Sequence, residues 1–196
     1  MAFSVFAPIV SAMTETKPHS PAEVISFWIE AGPQKWFAKD ESFDREFKSR
    51  FLEAHYAAAR RELDSWMESA EGALALMILL DQLPRNSFRD TGHMFATDAL
   101  ALSLCRQAIA RDYHNQVQSD LLPFVLMPLM HSEALEDQEH LIELLNPQTH
   151  ENTYKYAVIH RDVIADFGRF PHRNASLGRE TTPAERAFLE SGGFSG

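Results

Sequence analysis

The sequence predicts an all-α protein, an antiparallel array of about six to nine helices, on three observations. Ser20-Pro21-Ala22-Glu23 and Thr182-Pro183-Ala184-Glu185 each place a hydroxyl N-cap before a proline at the first helical position and a glutamate at the third, the pattern of a helix start. Between these starts Phe43, Phe47 and Phe51 recur every four residues, and further apolar runs follow helical spacing. No stretch alternates apolar and polar residues with a period of two for long enough to build a strand.

The chain is expected to open with a disordered extension over residues 1–19. MAFSVFAPIVSA lacks the positive start of a signal peptide and is interrupted by Ser4 and Pro8, and Met13 is a second candidate translation start. Residues 20–196 are expected to form one helical domain, because a chain of 196 residues buries roughly 70% of its unfolded surface without a staple. Its first helix carries Val24, Phe27 and Trp28; the next holds the phenylalanine stripe and runs to about Leu63. Ala70 to Gln82 is apolar nearly all round, as a central helix covered on every side would be, and Pro84 is expected to end it. Phe95 to about Asp112 places Leu102, Cys105 and Ile109 on one face. Leu121 to Met130 should kink or restart at Pro123 or Pro128 and continue to Leu145. A long helix from Glu151 to Phe167 precedes a loop, Gly168 to Arg179, and the last helix stops at Gly192-Gly193.

Composition excludes several function classes. A formal charge of −10, from 28 acidic against 18 basic residues, repels phosphate backbones and anionic lipid surfaces, so neither nucleic acid nor membrane is an expected partner. The longest apolar run, Ala73 to Leu80, is far shorter than the roughly 20 residues of a membrane helix. The single cysteine, Cys105, rules out an internal disulfide and reads as a small core residue, which makes the cytoplasm the expected compartment. Phosphate-binding glycine loops and the nucleophile elbow of hydrolases are absent, and no cofactor is expected. No metal is expected either: His131 and Glu133 are two apart and diverge on a helix, and Glu136 with His140 should face water. Nothing in the sequence reads on oligomeric state.

Polar residues on otherwise apolar stripes mark the candidate site. His131, Leu135, Gln138, Ile142 and Leu145 follow one helical face, as do Tyr156, His160, Val163 and Phe167, and the core helix carries Ile78, Asp81 and Arg85 on one side. Burying such groups unpartnered costs roughly 1–3 kcal/mol each, so each needs a partner within the protein, in water or in a ligand. One possibility is an internal network in which Asp81 and Arg85 lock a helix end and each histidine bonds a carbonyl. The other is a pocket in which His131, His160 and Asp81 supply acid/base groups. Leu83-Pro84-Arg85-Asn86 and Phe170-Pro171-His172-Arg173-Asn174 resemble each other, and Arg161, Arg169, His172, Arg173 and Arg179 form a basic crowd in an acidic protein. Arg85, Asn86, Glu133, Gln138, Arg169, His172, Arg173 and Asn174 are therefore the candidate ligand-binding residues, suited to a carboxylate or phosphate; alternatively the arginines hold irregular loops by bonding carbonyls and neighbouring carboxylates.

The chain also resembles a bacterial domain-of-unknown-function family, number nine hundred and twenty-four of that series. The resemblance rests on Phe27-Trp28, Lys35-Trp36-Phe37 with Phe43-Asp44, Leu80 to Asn86, Phe95-Ala96-x-Asp98, Pro128 to Glu133, and Phe167 to Asn174. Leu83 departs from the family's usual phenylalanine. The resemblance implies a tetratricopeptide-like all-helical fold and brings no activity with it. Two functions are compatible with this reading: a binding or adaptor module for a peptide or protein partner, and, as the alternative, an enzyme or sensor with a His/Arg pocket for a small anionic ligand.

Overall fold

The computed structural model describes residues 19–195, so most of the expected extension and the candidate start at Met13 lie outside the described residues. Among the described residues there are nine helices and no strand. They are α1 (Pro21–Ala31), the single turn α2 (Pro33–Trp36), α3 (Glu41–Ala59), α4 (Ala70–Met77, Ile78–Gln82 and Leu83–Ser87 without a break), α5 (Asp98–Ala110), α6 (Leu122–Met130), α7 (Leu135–Leu144), α8 (Glu151–Phe167) and α9 (Pro183–Glu190). Both expected helix starts form reciprocal caps: the Glu23 N–H donates to the Ser20 hydroxyl while the Glu23 carboxylate accepts the Ser20 N–H, and Thr182 with Glu185 does the same. No described helix is long and apolar enough to cross a membrane.

α4 is the centre of the molecule. From Gly72 to Pro84 every residue is buried, and the helix is packed by α1, α3, α5 and α6. The phenylalanine stripe of α3 closes one side, with Phe27 stacked on Phe43 and Phe47 at 5.5 and 5.4 Å between ring centroids, and Trp28 set edge-on to Phe124 of α6. Cys105 lies in this core, its thiol pushed up to about 12 by burial and then by Asp81, so it stays protonated and unreactive.

Pro84 does not end α4 as the sequence suggested. The helix widens instead into a π turn over Ile78–Gln82, closed by the Leu83 N–H donating to the Ile78 carbonyl, and continues to Ser87. A proline has no N–H to give the carbonyl four residues back, Leu80, or five back, Leu79. Side chains from elsewhere take both: His55 donates Nδ1–H to Leu79 at 2.9 Å, and the Thr97 hydroxyl donates to Leu80 at 2.5 Å. The next carbonyl, Asp81, accepts Arg85 Nη1 at 2.8 Å. Thr97→Val, which keeps the shape and strands a buried carbonyl, is expected to destabilise the protein by about 1–3 kcal/mol in urea unfolding.

Other boundaries moved for local reasons. α3 ends at Ala59 rather than near Leu63, because Arg61 takes a left-handed φ of 65° and a 3₁₀ turn follows over Asp64–Glu68. α5 begins at Asp98, preceded by a 3₁₀ turn over Gly92–Phe95. Pro128 sits within α6 without breaking it; the break comes at residues 131–134, so α6 and α7 are separate and His131 caps the former. The expected loop after α8 starts at the left-handed Gly168 and contains a 3₁₀ turn, Pro171–Arg173.

Candidate functional site

The π turn carries Asp81 into a fully buried position and surrounds it with donors. Its Oδ1 accepts His131 Nδ1–H at 2.7 Å and lies 3.2 Å from Arg85 Nη1, while Oδ2 accepts Gln82 Nε2 at 2.6 Å. Arg85 also grips Asp98 with two parallel hydrogen bonds of 2.9 Å, so its guanidinium lies between two carboxylates. Asp98 stands at the first position of α5, where the helix dipole favours a negative charge. Burial pushes Asp81 up, but Arg85 and His131 outweigh it and hold the carboxyl below the usual range, so it is ionised and accepts only. His131 Nδ1 must therefore carry the proton. Burial, then Arg85, pulls His131 below its ordinary value; the ring is neutral near pH 7 and leaves a bare Nε2 that no described side chain bonds.

His160 enters from α8, its ring 6.4 Å from that of His131. Its Nδ1–H donates to the Tyr156 carbonyl at 2.8 Å, and burial, then His131, drives it down to about 3. Two neutral imidazoles thus share one buried space. His172, from the 3₁₀ turn after α8, is driven down to about 4 by burial and then Arg173, and its Nδ1 is buried without a partner.

Arg173 is the most unusual member. It is 6% exposed, and its guanidinium lies over the rings of Phe95 and Phe170, at 4.8 and 4.4 Å from their centroids. Its nearest carboxylate, Asp98 Oδ2, is 3.5 Å from Nη1, and none of its side-chain N–H groups is hydrogen-bonded to a described residue; Nε is fully buried without a partner. Burial, then Arg85, pulls it down to about 10, still protonated at neutral pH. A buried guanidinium with unused donors calls for further acceptors, and an oxyanion is one group that supplies them.

The other basic residues of the loop have their partners. Arg169 holds Glu185 with bonds of 2.6 and 2.9 Å, and Asn174 Nδ2 reaches the same carboxylate at 3.2 Å. Glu133 accepts the Phe170 N–H at 3.0 Å and Arg179 at 2.8 Å, and Arg161 holds Asp162. Glu133, Arg169, Asn174 and Arg179 therefore fix the loop, and Arg173 projects from it.

Six sequence candidates meet in one cluster: Asp81, Arg85, His131, His160, His172 and Arg173. Asn86 does not join them; it bonds Asp44 at 2.7 Å beside Arg89, tying α4 to α3. Gln138 stands apart as well, because its Nε2 donates to the carbonyls of Leu129, Met130 and Ser132 and so caps α6. The stripes that selected the histidines hold at Gln138, Leu145, His160 and Val163, which are buried, and fail at two positions. Leu135 and Tyr156 are 38% and 53% exposed, and the buried residues of α7 are Asp137, Gln138 and Leu141. Sequence reasoning did not select Asp98, although Phe95-Ala96-x-Asp98 carried the family resemblance, nor the aromatic rings of Phe95 and Phe170 beside Arg173. Among the described residues no three His, Cys, Asp or Glu side chains are grouped as a metal ion requires.

Fold and cluster together define an all-helical protein with a buried Asp–His–Arg centre built from four separate helices and a loop. The chain belongs to the family described as bacterial protein of unknown function (DUF924), whose model matches residues 24–193. It is similar to a solved structure of a protein of unknown function from Agrobacterium tumefaciens, at 50% identity and a TM-score of 0.84 over 87% of this chain and 97% of that one. No curated protein matches it.

Proposed function

We propose that this protein binds a small anionic molecule on Arg173 and moves a proton on it through His131, as an enzyme or a sensor acting in the cytoplasm. The observation that carries the reading is the Arg173 guanidinium: buried, set over two aromatic rings and lacking any hydrogen bond to a described residue. A carboxylate or phosphate oxygen supplies what it lacks. Beside it, Asp81 fixes the His131 tautomer so that the basic nitrogen is Nε2, the arrangement by which a carboxylate orients a general base. His160 is a second neutral imidazole, its ring 6.4 Å from that of His131.

Charge balance gives a test. Arg85 and Arg173 already face Asp81 and Asp98, so an added anion is met by protonation of a histidine held neutral in its absence. The bound anion raises the pKa of His160 and His172, so binding takes up protons and weakens as pH rises. Calorimetric titration with acetate and with inorganic phosphate, in two buffers of different ionisation heat, is expected to show proton uptake and tighter binding at pH 6 than at pH 8. Arg173→Gln is expected to cost about tenfold or more in affinity while the fold is retained. Binding that Arg173→Gln leaves untouched contradicts the assignment.

The adaptor reading draws on a different feature, a groove of about 550 Å³ along α3 with an apolar floor at Leu52, Ala54 and Ala57 and cations at Arg45, Lys48 and Arg50. The readings separate by substitution. Lys48→Glu disrupts a peptide or protein partner seated in the groove and spares the small anion, whereas Arg173→Gln does the reverse.

A further inference from the structure

The segment after α9 turns back on the cluster. Gly192 takes a left-handed φ of 82°, and at Gly193, whose N–H donates to the Phe188 carbonyl at 3.0 Å, a Cβ would lie 2.6 Å from both that carbonyl and the Phe188 ring. Only glycine fits this path. The turn delivers the Phe194 ring onto His160 at 4.4 Å between centroids, edge-on to His172 at 5.4 Å, and beside Phe170 at 6.5 Å. Beyond Gly193, Phe194 and Ser195 make no hydrogen bond to a described residue, and the ring is held by apolar and aromatic contacts, with these rings and with the cluster of Val163, Ile164 and Phe170.

We infer that the Phe194 ring occupies the place of an apolar group of the ligand, so that the site takes a molecule joining an aryl-sized apolar group to an anion, and this molecule binds by displacing Phe194. This rests on the anion reading of Arg173 and adds the ligand's second half. The geometry supports it because Phe194 and Arg173 both neighbour the same ring, that of Phe170. Phe170 has its ring under the guanidinium at 4.4 Å and also neighbours Phe194, and His160 and His172 supply the remaining faces around that ring. A flat apolar group between two imidazoles and a phenyl ring keeps the offset and edge contacts that aromatic rings favour. Its carboxylate or phosphate would then extend toward the guanidinium. The internal ring competes with such a ligand and leaves a small anion without an aryl group largely unaffected.

The test compares phenylacetate with acetate on the native chain and on Phe194→Ala. Phe194→Ala is expected to bind phenylacetate about tenfold more tightly than the native chain and acetate within about twofold. In the native chain, phenylacetate is expected to shift the ring resonances of Phe194 toward their unstacked values, while acetate leaves them in place; this readout stands if the variant folds poorly. Should phenylacetate bind both chains equally and leave the Phe194 resonances unmoved while still perturbing His131, the displacement is wrong and the anion site stands. If neither probe perturbs His131 or His160 in either chain, the anion site falls and this inference falls with it.

Discussion

Asp81→Ala is expected to lower stability by about 3–5 kcal/mol, seen as a drop of about 2 M in the urea midpoint at an m-value of about 2 kcal/mol/M. The size follows from what the substitution leaves behind. Arg85 keeps one counter-ion of two, His131 loses the acceptor of its Nδ1–H, and Gln82 loses the oxygen it donates to, around a carboxylate that is itself fully buried. Breaking a buried pair from one side costs far more than the pair's net worth, because the surviving charge has been removed from water without compensation. Asp81→Asn keeps the volume and one acceptor oxygen, so a smaller loss is expected. The contrast between the two variants separates the effect of charge from that of packing.

The second large effect is on acid stability. His160 and His172 are held at about 3 and about 4, against 6.5 in the unfolded chain, so between those values the unfolded state binds more protons than the folded one. Stability therefore rises with pH across this window; it is full above about 6.5 and is lost as pH falls toward 4. At 1.36 kcal/mol per pH unit, each ring costs about 2 kcal/mol on going from pH 7 to pH 5, and the two together about 4 kcal/mol. Asp81 adds a loss of the same sign only at lower pH, since its carboxyl is held down. His55 and His131, also held below 6.5 by burial, add losses of the same sign, so urea unfolding at pH 7 and pH 5 is expected to show at least this difference, and His160→Gln is expected to remove about 2 kcal/mol of it. A His160→Gln protein with the native pH dependence would place the titrating groups elsewhere.

The fold was legible where the signal is local. The caps at Ser20 and Thr182, the phenylalanine stripe and the bounds of α8 need only their own neighbours, and all appear where the sequence puts them. Pro84 was misread because its tolerance inside α4 depends on His55 and Thr97, which lie 24 and 17 residues from the carbonyls they satisfy. No window around the proline contains that information. The site was half legible for a related reason: His160 and Asp81 stand out as polar residues in apolar helices, whereas Asp98 reads as an ordinary acid at a helix start until Arg85 folds onto it from 13 residues away. Within the basic loop, sequence could not tell Arg173 from Arg169, since the difference between them is Glu185, delivered by another helix.

The nitrogen resonances of the His131 ring test the central claim most directly. In the unliganded protein at pH 7 the expected spectrum is a neutral ring protonated at Nδ1 and bare at Nε2, and saturating phenylacetate or phosphate is expected to shift Nε2 toward a hydrogen-bonded or protonated state. A ring protonated at Nε2 with a bare Nδ1, or one whose two nitrogens ignore every added anion, would contradict an acid/base centre at Asp81 and His131.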